Sequence, residues 1–172
     1  TRTPEPWTTA GRLPAGSAVI YRHFGAPDAE TTAKRLRTVT AGAGVRLLIG
    51  LDADLAEAVG ADGVHLPERA RDQAPALRRR RPDWRITAAD HGEAPGPTEG
   101  IDALILSPIF ATNSPSPSRT ALGAEGLAEA VRRSALPIYG LGGIDAANVG
   151  ALVGTGACGI AGVEAFSRAF GG

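Results

Sequence analysis

The sequence predicts an α/β fold of the TIM (β/α)8-barrel type, formed as one domain over residues 1–172, with the first barrel strand missing from this chain. Three observations predict it. Seven short apolar runs alternate with helices or helix-length spacers, which indicates a parallel sheet. The runs are almost continuously apolar, which indicates that both sheet faces are buried. The proline-punctuated opening residues are also an atypical barrel start. An open, doubly wound sheet is the alternative.

Strands are predicted where β-branched and other apolar residues run between turn-forming or charged residues. In the first run, Val19, Ile20 and Tyr21 all favour extended backbone. The seven predicted strands are residues 17–22, 45–49, 63–66, 84–88, 101–106, 137–141 and 158–163.

Helices are predicted where apolar residues recur at three- and four-residue spacing between capping signals. Asp28 and Asp145 stand at N-cap positions, and glycines follow several helix ends. Prolines argue against a full helix over 91–100, and a polar loop is expected over 111–120. The predicted helices are residues 28–40, 54–59, 69–80, 123–133, 146–153 and a last one from about residue 165, with one helical turn over 8–13.

Composition narrows the function classes. The formal net charge is zero, which argues against nucleic-acid or anionic-membrane partners. There is no apolar run near 18 residues and no signal-peptide pattern, so a cytoplasmic protein is expected. The single cysteine, Cys158, excludes an internal disulfide, and its apolar neighbours predict inert core. The arginine run 78–81 predicts a solvated helix end.

Three histidines are candidates for chemistry. His23 follows Arg22 at the carboxyl end of a predicted strand, where barrel active sites lie, and is a candidate acid/base group. His91 is a second candidate beyond a later strand, whereas His65 lies within a strand and is expected to be structural. Their spacing does not match a transition-metal site, so none is predicted.

The stretch 137–166 is interpreted as strand, glycine turn, helix, strand and a second glycine turn. Glycines just past two strand ends allow backbone N–H groups to approach an anionic ligand closely. In β/α barrels the last two such loops often hold a phosphate. The alternative is that these glycines only form tight turns.

Four stretches carry a family resemblance. Residues 55–66, LAEAVGADGVHL, are similar to the pattern DLALAVGADGVHL. Residues 107–114, SPIFATNS, are similar to GPIF followed by PTPT, and residues 122–127, LGAEGL, to LGLEGL. Residues 137–144, PIYGLGGI, are similar to PVVAIGGI. In this order they resemble the thiamine phosphate synthase and thiazole tautomerase superfamily, which implies a β/α barrel whose first strand lies before Thr1.

The resemblance also implies a function and a set of site residues. A synthase of this family joins a pyrimidine pyrophosphate to a thiazole phosphate and releases pyrophosphate, using Mg²⁺. The catalytic candidates are Arg22, which the resemblance implies, His23, from its position after a strand, and Glu68, as an acid/base group under the tautomerase alternative. Mg²⁺ is expected if the synthase chemistry is retained, otherwise no cofactor. The expected partner is a small phosphorylated substrate, and a homo-oligomer stays open. The implied substrate-binding residues are Thr112, Asn113, Ser114, Arg119, Gly142, Gly143, Gly162 and Val163.

The chain departs from both family patterns. The two Mg²⁺ carboxylate positions of a synthase fall on Gly50–Leu51 and on Ala70. The catalytic histidine position of a tautomerase falls on Pro108. Other cationic and polar positions of the synthase pattern are also changed, at Phe24, Ala89, Pro115 and Glu164.

Three hypotheses follow from the resemblance and its departures. The first is a thiamine phosphate synthase-type protein that couples or binds thiamine precursors. The second is a thiazole tautomerase-like isomerase that uses His23 and Glu68 as acid/base groups. The third is a non-catalytic ligand-binding barrel, because the Mg²⁺ carboxylate positions are altered.

Overall fold

A computed structural model describes residues 5–92, 96–112 and 119–171 of the chain. In these residues seven parallel strands form one sheet, in which each strand pairs with the next one along the chain. The alternation of apolar runs and helical spacers therefore gave the correct strand order. The strands are β1 Ala18–Tyr21, β2 Arg46–Gly50, β3 Gly63–Leu66, β4 Arg85–Asp90, β5 Ala103–Leu106, β6 Ile138–Leu141 and β7 Gly159–Ala161.

Six α-helices lie within the described residues, and most start and end near the predicted points. The long second helix passes through Gly42 and ends at Gly44, whose left-handed φ of 67° suits a glycine. The helices are α1 Pro6–Ala10, α2 Ala29–Ala43, α3 Ala53–Ala58, α4 Ala74–Arg80, α5 Gly123–Arg133 and α6 Glu164–Phe170.

One helix prediction is correct only in part, and another is wrong. Residues 69–80 are a 3-10 segment, Glu68–Gln73, followed by α4, because Ala70 leaves helical geometry and Pro75 starts a new helix. Residues 146–153 form turns and a short 3-10 segment, Val149–Leu152. The carboxylate of Asp145 accepts hydrogen bonds from the Ala147 and Asn148 N–H groups, which favours a turn over a helix.

The two faces of the sheet differ sharply. One face packs on the helices and is closed by large apolar side chains, as the rows Ile49–Val64–Ile86 and Leu66–Ala88–Leu104–Ile138 illustrate. The inner face carries a mixture of small, polar and apolar residues, which includes the row Gly50–His65–Thr87–Ala103 as well as the apolar Leu48 and Ile105. This inner face opens toward the carboxyl ends of the strands, where the candidate site lies.

The sheet is a half-barrel in the described residues. No pairing joins β1 to β7 there, although α1 contacts α6 across the outside of that gap. The barrel prediction is therefore confirmed as an α/β fold with seven parallel strands that form a half-barrel.

The prediction that Cys158 is core is wrong, since its side chain is exposed just before β7. Within the described residues no helix combines the length and apolarity needed to span a bilayer.

Candidate functional site

Arg22 leaves the end of β1 and lies over the inner face of the sheet. A β-carbon at Gly50 would come within 2.8 Å of the Arg22 Cγ, so the glycine makes room for the arginine stem. The Arg22 guanidinium lies 4.6 Å from the centre of the Phe24 ring, which is 66% exposed. Arg22 and its aromatic neighbour therefore form one side of the site at the mouth of the half-barrel.

His65 lies beside Arg22 on the same face, in register with Gly50 and Thr87. Its Nδ1 is 2.9 Å from the hydroxyl of Thr87. Burial, and then the positive charge of Arg22, lower the pKa of His65 to about 4. The imidazole is consequently neutral at pH 7, which fits the structural role expected from the sequence.

His23 is held at both ring nitrogens. The Gly25 N–H donates to its Nδ1 at 3.0 Å, so the proton of a neutral ring is on Nε2, which lies 3.1 Å from the Asp52 carboxylate. The other oxygen of Asp52 accepts from the Leu55 N–H and caps α3. His23 is therefore fixed in one tautomer, and it must break a contact before it can act as a base.

Glu68 pairs with a different histidine from the one that the sequence suggested. Its carboxylate lies 2.9 Å from Nδ1 of His91, which follows β4. Both side chains are partly buried, at 31% exposure for Glu68 and 22% for His91, so this carboxylate–imidazole contact at the carboxyl-end rim is only partly exposed to water.

The buried side chain of Arg71 contacts the same part of the rim. Its side chain is 2% exposed and lies 2.9 Å from the Asp90 carboxylate and 3.8 Å from that of Glu68. The guanidinium also donates to the Ala89 carbonyl at 3.1 Å from Nε. This buried cation ties the end of β4 to the 3-10 segment and neutralises Asp90.

The glycine loop after β6 packs tightly on the loop after β5. Gly142 and Gly143 have left-handed φ values of 97° and 65°. A β-carbon at Gly143 would lie 2.3 Å from the Ala111 carbonyl oxygen, so only glycine fits there. The Phe110 N–H donates to the Gly142 carbonyl and joins the two loops, and the Asn148 side-chain amide donates to the Gly143 carbonyl within the loop after β6.

The remaining predicted substrate-binding residues are scattered around this loop. Thr112 and Arg119 are exposed, whereas Asn113 and Ser114 lie outside the described residues. Gly162 and Val163 follow β7, and a β-carbon at Gly162 would come within 2.7 Å of the Phe166 ring, so Gly162 is needed for packing. Glu164 begins α6 and is exposed.

Several site residues were not recognised in the sequence. Arg71, Asp90 and Asp52 could not be recognised because their contacts join segments that are distant in the sequence. The spacing of Arg71 could have indicated its burial. It lies three residues before the buried Ala74 and seven before Arg78, on the side of this segment that faces the sheet. Gly50 was judged as a lost ligand, although its missing side chain is what admits Arg22.

The fold and rim define a class of protein: a parallel β/α half-barrel with charged side chains and a glycine-rich loop at the carboxyl ends of its strands. The chain belongs to the thiamine monophosphate synthase family, whose model matches residues 9–166. It is 35% identical to the thiamine-phosphate synthase of Methanoculleus marisnigri over 141 residues, which is 80% of this chain and 67% of that protein. The thiamine-phosphate synthase of Vibrio parahaemolyticus is 35% identical over 140 residues, 80% of this chain and 69% of its own length.

Solved structures show the same fold. Thiamine phosphate pyrophosphorylase from Pyrococcus furiosus matches with a TM-score of 0.78 and 25% identity, over 98% of this chain and 86% of that one. FabK from Thermotoga maritima shares the fold, with a TM-score of 0.66 at 14% identity, over 94% of this chain and 55% of that one.

The rim carboxylates do not fit a magnesium centre. Mg²⁺ takes oxygen ligands in an octahedral shell, usually with one or two carboxylates. Here Asp52 is bonded to His23 and a helix N-terminus, Glu68 to His91, and Asp90 to Arg71. In the described residues no three His, Cys, Asp or Glu side chains gather where they could share a metal ion.

Proposed function

We propose that this chain is a thiamine phosphate synthase-type protein that binds a phosphorylated thiamine precursor at its carboxyl-end rim, with little synthase turnover of its own. Family membership supports the ligand class. The expectation of little synthase turnover rests on the rim carboxylates, each of which already has a histidine or arginine partner. Pyrophosphate departure needs a countercharge on the leaving group, and a magnesium ion would have to displace those partners.

The residues proposed for ligand binding keep the roles predicted from the sequence. Arg22 offers a planar guanidinium to a phosphate or pyrophosphate, and the loop around Gly142 and Gly143 presents backbone at close range. Gly162 and Val163, with Thr112 and Arg119, complete the expected rim. In this proposal Mg²⁺ is required for synthase turnover and not for binding of the ligand.

Calorimetry with the thiazole phosphate and the pyrimidine pyrophosphate, each with Mg²⁺ and with EDTA, tests the proposal. We expect binding of the thiazole phosphate that EDTA leaves unchanged, together with little formation of thiamine phosphate when both substrates are supplied. Mg²⁺-dependent turnover at the level of an active synthase would refute the loss of the metal centre. Absence of binding to either compound would refute the ligand class.

A second candidate function is a thiazole tautomerase-like isomerase, and the Glu68–His91 pair favours it. A carboxylate 2.9 Å from an imidazole is a plausible proton-transfer pair, whereas His23 already has a contact at each ring nitrogen. Replacing Glu68 with Gln should then abolish isomerisation of the thiazole substrate, and H23Q should have a smaller effect. Unaltered turnover in E68Q would exclude this function.

We also propose that the complete barrel is closed by an eighth strand between β1 and β7. The unpaired outer edges of these two strands and the contact between α1 and α6 support this arrangement. Hydrogen exchange on the product of the complete gene provides the test. Slow exchange of the outer-edge amides of β1 and β7 is expected, and fast exchange at both edges would contradict closure.

A further inference from the structure

We propose that the amino-end face of the half-barrel holds a second binding site, for the phosphate group of a small molecule, centred on Arg46 and Arg85. This face is opposite the rim described above. A cavity of about 370 Å³ opens there, within the size range of small-molecule sites. Four arginines and two aspartates supply its charged lining: Arg37, Arg46, Arg81, Arg85, Asp62 and Asp83.

The sheet register brings the two central arginines to the same side. Arg46 is the first residue of β2, and Arg85 is the first residue of β4. Leu48 pairs with Gly63, which in turn pairs with Arg85, so Arg46 and Arg85 both project from the inner face. Gly63, which has no side chain, lies on the strand between them and is level with Arg85, whereas Arg46 lies two residues farther toward the amino end. Strands two apart are separated by roughly 10 Å and two residues add roughly 7 Å along the strand, so the two Cα atoms are roughly 12 Å apart, a distance that two arginine side chains can span to reach one oxyanion.

The charges in the cavity do not cancel. Asp62 accepts from Arg37 and from the Leu47 N–H, each at 2.8 Å. Asp83 is 3.0 Å from Arg81. Both aspartates are therefore satisfied by groups other than the central pair.

Neither the Arg46 nor the Arg85 side chain has a hydrogen-bond or ion-pair partner within residues 5–92, 96–112 and 119–171. The cavity therefore has two uncompensated guanidinium groups. A dianionic phosphate matches this charge and can accept paired N–H donors from each arginine. A neutral or cationic ligand would leave both charges unbalanced.

Titration of inorganic phosphate into the ¹⁵N-labelled chain, followed at the arginine Nε–Hε resonances, tests the site. The R46Q/R85Q variant identifies the two signals by their loss. Its phosphate Kd, read at the neighbouring Arg37 and Arg81 signals, should rise at least about tenfold, since charge-assisted hydrogen bonds contribute about 1.5–3 kcal/mol each. The matched control is R79Q/R133Q, which removes the same charge from exposed arginines on α4 and α5. We expect this control to keep the wild-type Kd within about twofold.

The R22Q variant distinguishes phosphate binding at the rim from binding at the amino-end cavity. This variant should keep the phosphate-induced shifts of the Arg46 and Arg85 signals. The site is overturned if those two signals stay fixed while phosphate is added, or if R22Q alone abolishes their shifts. Equal weakening in R46Q/R85Q and R79Q/R133Q would also overturn it, because that result indicates only general charge screening. Thermal melts of both double variants should match the wild type, since the exchanged side chains are exposed and have no hydrogen-bond or ion-pair partner among the residues that the structure describes.

Discussion

Replacing Arg71 with Met is the most direct test of how the rim is held together. The guanidinium is buried and bonded to Asp90 and to the Ala89 carbonyl, and lies close to Glu68. Methionine has a similar length and no charge, so it fills the space while removing every one of these contacts. The Asp90 carboxylate, which is 16% exposed, would then lose its only ion-pair partner in the part of the chain described above.

The expected loss follows from what remains after the substitution. Removing one partner of a buried ion pair typically costs about 3–5 kcal/mol, because the other charge stays desolvated and unpaired. Asp90 retains some access to water, so the lower end, about 3 kcal/mol, is the expected value for R71M. With a urea m-value of about 2 kcal/mol per molar, the unfolding midpoint should fall by about 1.5 M.

Urea denaturation followed by circular dichroism measures this change. R79M is the matched control, because Arg79 is exposed on α4 and should tolerate the same substitution with little effect. The double variant R71M/D90N removes the stranded charge and should recover at least about 1 kcal/mol relative to R71M. A midpoint shift in R71M no larger than that of R79M would refute the view that this buried cation stabilises the rim.

Three further predictions concern the inner face and the loops. Because folding lowers the pKa of His65 from about 6.5 to about 4, its contribution is intact above pH 6.5 and is lost as the pH falls toward 4, by up to about 3 kcal/mol. H65N should flatten this part of the stability–pH curve, and an unchanged slope would contradict the shift. G143A should destabilise the fold by at least about 1 kcal/mol and weaken thiazole phosphate binding, whereas G150A, which meets no atom within 4 Å, should do neither. L51N should raise the urea midpoint, because Leu51 has a left-handed φ of 65° that asparagine tolerates better; a lower midpoint would show that its 43% exposed side chain packs usefully.

The sequence was informative about the fold where local chemistry decides the outcome. Helix α5 was predicted at its observed bounds because an amphipathic run is set off by Gly123, and β3 because glycine and proline delimit it. Residues 146–153 were misassigned because helical spacing there competes with the turn hydrogen bonds of Asp145. Local periodicity cannot weigh such side-chain contacts.

The candidate site was predictable only in part, because its chemistry is non-local. Arg22 and the glycine loop could be identified from their positions after strands. The partners of Glu68 could not, since His91 is 23 residues away and meets it only after β3 and β4 pair. The basic cavity at the amino ends escaped the sequence for the same reason: Arg46 and Arg85 are far apart along the chain and become neighbours through the register of the sheet.

The contacts of the rim carboxylates can be described by which group, a metal ion or a side chain, lies beside each negative charge. In a metal-dependent site, a divalent cation neutralises the carboxylates that bind it. Here the described rim carboxylates have side-chain partners instead: Asp90 is neutralised by a buried arginine, and Glu68 and Asp52 each contact a histidine ring. Reintroducing an aspartate at position 51 alone would therefore add a charge that no side chain balances, so L51D should bind Mg²⁺ only weakly. A variant that also removes Arg71 frees Asp90 for the metal, and Mg²⁺ should stabilise L51D/R71M against urea more than either single variant. Equal stabilisation of all three by Mg²⁺ would mean that side-chain cations are not what keeps the metal out.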